Sequence, residues 1–163
     1  MLKFDNLKSE RINYRDKERV IGMEKKVKVR WAGRMSFIAL DEQEHSVLMD
    51  AGLNAGGDES SFKPTDLLLA ALGGCTGIDV VSILRKQRQD IQELWIEIAG
   101  TQAEVHPRYF QEIRIEFIVR GKNVKEDLVE RAIDLSHNKY CSVAQSLVPK
   151  VRIITSYRIE EAE

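Results

Sequence analysis

The chain has 163 residues with 25 basic and 26 acidic side chains, a formal net charge of −1, and 43% hydrophobic residues. That length suits one domain with a real core, and the balanced charge gives no electrostatic basis for binding nucleic acid. No window reaches the roughly 18 consecutive apolar residues of a membrane span, and no apolar segment follows the first charges as in a signal peptide. These features predict a cytoplasmic protein with no membrane partner.

Cysteine and histidine usage argues against a metal site. The two cysteines do not make a disulfide scaffold, and in the cytoplasm a pair of thiols favours a reactive role over a structural one. The chain has no Cys-x-x-Cys motif, and His45, His106 and His137 lie far apart along it. We therefore expect no metal and no cofactor.

The first third of the chain reads as a leader followed by a β-meander. Residues 1–22 are polar without a sustained period, so we interpret them as a leader from an upstream start; an arm that packs on a partner subunit is the alternative. The domain then spans residues 23–163. Period-two alternation predicts a half-buried strand at 25–31, and turns separate it from further strands at 35–40 and 45–50.

A loop and a long helix follow the meander. Residues 51–62, AGLNAGGDESSF, are rich in Gly, Asn, Asp and Ser, which predicts a flexible loop that could act as a lid. Residues 63–88 then predict a buried central helix, because Pro64 suits the first turn and apolar residues recur at helical spacing, nearly all round the helix between Leu67 and Leu72.

A pair of glycines, Gly73–Gly74, lies inside this helix beside Cys75. Each glycine weakens a helix by about 1 kcal/mol relative to Ala, so the pair implies a kink or the close approach of another backbone. From this stretch alone, tight packing around an inert buried thiol is slightly favoured over an active-site element.

The rest of the chain alternates strand and helix patterns. Two period-two stretches predict a hairpin, a helix with one apolar face follows, and a polar break separates it from a shorter helix and a last strand. In order, these elements are expected at residues 94–105, 113–121, 123–135, 140–148 and 151–159. The order βββ–α–ββ–α–α–β indicates an α+β domain.

The residues that could carry chemistry are the two thiols. Cys75 and Cys141 each lie at or near the predicted start of a helical segment, where oriented N–H groups favour thiolate. Two thiols that meet in space can convert a sulfenic acid into a disulfide. Free cysteine is, however, often simply buried, and spacing alone does not bring these two together. We interpret His137 as a polar surface residue and Lys139 as solvated.

A resemblance to a known family changes this balance. The segments GGCTGIDVVSILRKQRQD and RAIDLSHNKYCSVA resemble the OsmC/Ohr family of osmotically inducible and organic hydroperoxide resistance proteins, and are most similar to a less characterised OsmC-like branch. The resemblance implies an intertwined homodimer, with antiparallel sheets wrapped around long central helices and active sites at the subunit interface. By position it implies that Cys75 attacks the peroxide and Cys141 resolves the product. An arginine of the first hairpin, Arg34 or else Arg30, would stabilise the thiolate.

Two departures from the family pattern oppose high peroxidase activity. Peroxidase members place a Glu ten residues before the reactive Cys, where this chain has Thr65 with Asp66 beside it. Without that carboxylate the arginine is less well oriented, unless Asp66 substitutes. In addition, Asp79 lies four residues after Cys75 on the same helical face, and an unpaired carboxylate there would raise the thiol pKa unless an Arg lies between them.

The resemblance implies a function and its partners. We expect an antioxidant enzyme of the oxidative stress response, a thiol-dependent peroxidase that reduces organic hydroperoxides and is regenerated by a dithiol such as protein-bound lipoamide. The alternative is an OsmC-like dimer that senses redox state or binds a small molecule with little turnover.

Overall fold

The computed structural model describes residues 24–163, so the predicted leader lies outside the described residues. The first sheet is the expected antiparallel meander, in the order β1 (Lys28–Gly33), β2 (Ser36–Leu40) and β3 (Ser46–Met49). The turn between β1 and β2 uses left-handed backbone, with φ of 111° at Gly33 and 46° at Arg34. The period-two pattern therefore placed all three strands correctly.

The segment after β3 is held by a carboxylate rather than being flexible. It contains a short 3₁₀ turn at Leu53–Ala55 and wraps around Asp50, whose side chain is only 2% exposed. The backbone N–H and the hydroxyl of Ser60 donate to Asp50 Oδ2 at 3.1 and 2.8 Å, and the N–H of Asp58 donates to the same oxygen at 3.0 Å. These hydrogen bonds, from Ser60 above all, hold the pKa of Asp50 well below its usual range. The expectation of a flexible loop is corrected, because loop composition does not reveal such an anchor, while the role as a lid stays a prediction.

The central helix forms as predicted. Helix α1 spans Pro64–Lys86 without interruption, and Pro64 occupies its first turn, where the missing N–H is not needed. Its fully buried residues recur every fourth position and form a single stripe: Leu72, Thr76, Val80 and Leu84. Burial all round the helix was wrong for one subunit, since Ile78 is 74% exposed and Leu68 is 38% exposed.

The second sheet carries the core. Strands β4 (Asp90–Gln102) and β5 (Phe110–Lys122) form a long antiparallel hairpin, and β6 (Arg152–Glu161) pairs with β5 in parallel. Parallel neighbours need a crossover connection, which helices α2 (Glu126–Leu135) and α3 (Ser142–Leu147) supply. Alternate residues of β5 pack against the buried stripe of α1 and the inner face of α2: Ile113, Ile115, Phe117 and Val119. The α+β class is confirmed.

The expectation that no segment of the chain could span a membrane needs correction for α1. By length and composition the helix is able to cross a membrane, although no unbroken apolar run predicted this. The 18 residues 67–84 contain a single charged side chain, Asp79, which breaks the apolar run but leaves the mean hydropathy of the helix high. The core helix of a soluble protein passes the same test, and α1 does pack on β4, α2 and α3.

The predicted break between α2 and α3 is a π-helical turn at Ser136–Tyr140. It ends where the backbone N–H of Cys141 donates to the carbonyl oxygen of Ser136 at 2.8 Å. The turn contacts α1 and so delivers residues from the C-terminal third of the chain to the middle of the central helix.

Candidate active site

The fold brings the two cysteines together. The sulfur atoms of Cys75 and Cys141 and a carboxylate oxygen of Asp79 all lie within 4.8 Å of one another. Both thiols are free, Cys75 half-buried and Cys141 fully buried. Packing of α3 and the π-helical turn against α1 thus supplies the proximity that sequence spacing could not establish.

The two thiols differ in their local backbone. Cys141 is the N-cap residue of α3, and its sulfur accepts a hydrogen bond from the N–H of Ala144 at 3.3 Å. Cys75 lies in the middle of α1, which runs through Gly73–Gly74 as continuous helix. The expectation of a helix start was therefore right for Cys141 and wrong for Cys75, whose thiolate gains nothing from free N–H groups of a helix end.

Of the glycines near Cys75, Gly77 is the one that a neighbouring side chain approaches closely. A Cβ at Gly77 would lie 3.0 Å from the Cδ1 atom of Ile96 on β4, and one at Gly73 would lie 4.0 Å from Cγ2 of the same side chain. The close approach is therefore made by a side chain and not by another backbone. Gly74 has nothing within 4 Å of a Cβ position and opens onto a groove of about 750 Å³ between α1 and β4.

Burial sets the protonation state of Cys141. Desolvation, with its hydrogen bond to Cys75 as the next cause, raises the pKa of Cys141 to about 11, while the N–H of Ala144 acts in the opposite direction. The thiol form of Cys141 is strongly favoured over the thiolate at neutral pH. Cys141 is therefore a buried, protonated thiol beside a more accessible one.

Asp79 is held by a residue that the sequence did not single out. The hydroxyl of Ser136 donates to Asp79 Oδ2 at 3.0 Å, and its oxygen lies 3.5 Å from the carbonyl oxygen of Thr76. Ser136 is fully buried, although it opens the polar run SHNKY, which gave no signal for burial. His137 is half-buried rather than fully exposed, and its Nδ1 atom is buried without a hydrogen-bond partner. Lys139 is exposed, as expected.

Two thiols and a carboxylate are also possible metal ligands. Within residues 24–163, Cys75, Asp79 and Cys141 are the one group of such side chains close enough to share an ion. Spacing along the chain had suggested no metal site, because the ligands come from separate helices. The group offers three protein ligands, one fewer than a closed structural zinc site.

The predicted arginine lies in the first sheet. Arg34 Nη1 is 2.6 Å from Asp58 Oδ1, and both side chains are largely exposed. Thr65 and Asp66 occupy the first turn of α1, and a rise of 1.5 Å per residue places Thr65 about 15 Å along the helix from Cys75. Within one subunit, therefore, the position of the family glutamate is remote from the thiol pair.

Comparisons with known proteins identify the family. Residues 56–156 match the family model described as OsmC-like protein. The YhfA protein of Escherichia coli is 40% identical over 135 residues, covering 83% of this chain and 98% of YhfA. The chain belongs to the OsmC-like family.

Solved structures share the OsmC-like fold. A protein of Aquifex aeolicus aligns with a TM-score of 0.77 at 28% identity, covering 87% of this chain and all of that chain. The organic hydroperoxide resistance protein OhrB of Bacillus subtilis aligns at 0.58 and 16% identity, over 83% of this chain and 98% of its own. The second likeness shows the fold alone. The resemblance seen in the sequence is confirmed.

Proposed function

We propose that this OsmC-like protein is a thiol-dependent peroxidase that reduces organic hydroperoxides through a Cys75 sulfenic acid resolved by Cys141. The observation that carries the proposal is the meeting of two free thiols from distant parts of the chain, with their sulfurs within 4.8 Å. Family neighbours named organic hydroperoxide resistance proteins support the substrate class.

The chemistry proceeds in two steps at the thiol pair. Cys75 thiolate attacks the distal peroxide oxygen, the O–O bond breaks, and the alkoxide leaves and takes a proton as the alcohol. Cys141 sulfur then attacks the Cys75 sulfenic acid, the S–O bond breaks, and water leaves as the disulfide forms. A cellular dithiol such as protein-bound lipoamide returns both thiols to the reduced state. The half-buried Cys75 and the fully buried Cys141 suit this order of events.

The functional unit is a cytoplasmic homodimer. Strand β1 is exposed along its length apart from Gly33, although its pattern predicted half-burial, and the first sheet packs chiefly on itself. Soluble monomers rarely expose large contiguous apolar surfaces, and this subunit exposes apolar side chains throughout the meander and the following loop: Val27, Val29, Trp31, Met35, Phe37, Val47, Leu48, Leu53 and Phe62. A second copy covers these residues and the groove beside Ile78.

Dimerisation also completes the site in this proposal. Arg34 stabilises the Cys75 thiolate and the charge that develops on the peroxide. Arg34 pairs with Asp58 in its own subunit, and the helix start is about 15 Å along α1 from Cys75, so we place these groups beside the thiol pair of the second copy.

A second candidate function is a redox-sensing or small-molecule-binding dimer with little turnover. Thr65 in place of the family glutamate and the carboxylate of Asp79 beside the thiols favour it, because both features oppose formation of the thiolate.

One experiment separates the two. Reduced protein receives cumene hydroperoxide with and without a lipoyl reductant, and consumption of the hydroperoxide is followed together with mass spectrometry of both cysteines. Sustained consumption that is lost in Cys75→Ser supports the peroxidase. A Cys75–Cys141 disulfide without turnover supports the sensor. If both thiols stay reduced under excess hydroperoxide, neither redox role stands.

A further inference from the structure

We propose that Asp79 is the acid–base residue of the resolving step, moving the proton of the Cys141 thiol to the oxygen that leaves Cys75. This inference rests on the peroxidase function proposed above and adds a catalytic residue to it. It assigns a positive role to a carboxylate that, from the sequence, only opposed the chemistry.

The geometry places Asp79 beside both reacting sulfurs. Cys75 and Asp79 are four residues apart on α1 and share one face of the helix, and Cys141 meets that face from the start of α3. A carboxylate oxygen of Asp79 lies within 4.8 Å of each sulfur. A shift of one to two ångströms is enough to give hydrogen-bond distance to a thiol or to an oxygen carried by Cys75.

The resolving step needs a proton acceptor and a proton donor. A thiol attacks through its thiolate, and Cys141 is buried away from solvent bases. Burial raises the pKa of Cys141 to about 11, so spontaneous ionisation near neutral pH is rare. The departing hydroxide, in turn, is a poor leaving group unless it is protonated. One carboxylate within 4.8 Å of both sulfurs meets both needs in succession.

Ser136 holds the carboxylate in place. Its hydroxyl donates to Asp79 Oδ2 at 3.0 Å, and its full burial keeps water from competing for that oxygen. Ser136 is a positioning residue in this scheme. Its backbone carbonyl also accepts the N–H of Cys141, so one residue fixes the carboxylate relative to the thiol that it serves.

The step is balanced without any further reactant. The Asp79 carboxylate takes the proton of Cys141 as the S–S bond to Cys75 forms and the S–O bond of the sulfenic acid breaks. The leaving hydroxide takes the proton from Asp79 and departs as water, which returns Asp79 to its ionised form. The hydroperoxide already consumed in the first step is the only oxidant.

This role predicts opposite effects on the two steps. A carboxylate beside Cys75 disfavours a second negative charge on the sulfur, so Asp79→Asn should leave sulfenic acid formation as fast as in the wild type or make it faster. The same change removes a general acid–base group, whose loss typically slows a step by about 10²- to 10⁴-fold. Asp79→Glu should restore part of the lost rate of disulfide formation.

The test measures the two steps separately in one reaction. Reduced full-length protein, kept in EDTA so that no metal occupies the thiols, receives one equivalent of cumene hydroperoxide and is quenched at intervals. Dimedone labelling of Cys75 reports the sulfenic acid, and mass spectrometry reports the disulfide. In Asp79→Asn the disulfide rate should rise about tenfold per pH unit from 6 to 9, because hydroxide must then ionise Cys141; in the wild type it should depend weakly on pH.

Equal disulfide rates with the same pH slope in wild type and Asp79→Asn would overturn the assignment. If Asp79→Asn does not fold, Ser136→Ala decides: we expect slower disulfide formation with a steeper pH slope, and a profile identical to that of the wild type overturns the proposal. Absence of the dimedone adduct in both wild type and Cys141→Ser would overturn the peroxidase function itself and this inference with it. That failure is visible at the first step, before Asp79 acts.

Discussion

The exposed face of α1 offers a quantitative test of the homodimer through Ile78. This side chain is 74% exposed in one subunit, and in the proposed homodimer a second copy that packs on the groove beside it covers it. Fully burying an isoleucine contributes about 1.5–3 kcal/mol, so the fraction still exposed corresponds to about 1–2 kcal/mol per subunit. A two-fold interface uses the residue twice, giving about 2–4 kcal/mol per dimer.

Ile78→Ser should therefore raise the Kd of the dimer by roughly 30- to 700-fold, at about 1.4 kcal/mol per tenfold. Isoleucine and serine have similar helix propensities, so α1 itself should be little affected. Sedimentation equilibrium over a concentration series measures the change. The matched control is Val105→Ser, since Val105 is 77% exposed in the connection between β4 and β5 and should leave Kd unchanged.

Two outcomes would refute this reasoning. A wild-type protein that sediments as a stable, folded monomer at micromolar concentration would rule out the proposed homodimer. A dimer whose Kd responds equally to Ile78→Ser and Val105→Ser would show that the α1 groove is not the covered surface.

The remaining predictions concern the loop anchor and the thiols. Asp50→Asn should lower Tm by several degrees at pH 7. Because the folded-state pKa of Asp50 is depressed, its contribution to stability is present above the unfolded-state pKa of about 3.9 and fades as pH falls. Scanning calorimetry should therefore show the Tm values of variant and wild type converging in acid. Because the pKa of Cys141 is raised to about 11 in the folded protein, the buried thiol contributes its full stabilisation below the unfolded-state pKa near 9, and this contribution is lost as pH rises towards 11. The denaturation midpoint of Cys141→Ala should not show this fall at alkaline pH. In a Cys141→Ser background, Thr65→Glu should speed iodoacetamide alkylation of Cys75 at pH 7 by restoring a partner for the arginine, and Asp66→Asn should slow it if Asp66 now fills that role. If the pH–rate profiles for alkylation of Cys75 are superimposable in the Cys141→Ser protein and in its Thr65→Glu and Asp66→Asn variants, neither position 65 nor position 66 influences the thiol.

Local sequence pattern predicted the positions of the strands and helices well, but predicted poorly which of their residues are buried or hydrogen-bonded to distant parts of the chain. Period-two alternation located the meander, and helical spacing with Pro64 located α1, because both signals are written in neighbouring residues. The flexible loop was wrong because Asp50, a single carboxylate at the end of β3, organises a segment ten residues away. Burial all round α1 was wrong for one subunit because the apolar pattern does not tell which side chains the rest of that subunit covers.

The candidate site depends on contacts between residues that are far apart in the sequence, and local pattern did not predict these contacts. Cys75 and Cys141 were paired through the family resemblance and not through spacing, and their proximity depends on the π-helical turn that precedes α3. Ser136 carried no signal, because a buried serine and an exposed one look alike in a polar run. The ligand-like grouping with Asp79 was likewise invisible, since its members come from two separate helices.

The mid-helix position of Cys75 links assembly to reactivity. A thiolate there lacks the free N–H groups of a helix end, and the Asp79 carboxylate within 4.8 Å of its sulfur disfavours a second negative charge. None of the groups that shift the pKa of Cys141 is a cation, and Arg34 is engaged with Asp58. In the proposed homodimer, the subunit contact brings the cation that activates Cys75. The Ile78→Ser monomer should therefore alkylate at Cys75 more slowly than the wild-type dimer, while Val105→Ser should match the wild type. A monomer as reactive as the dimer would show that the thiol is activated entirely within one subunit.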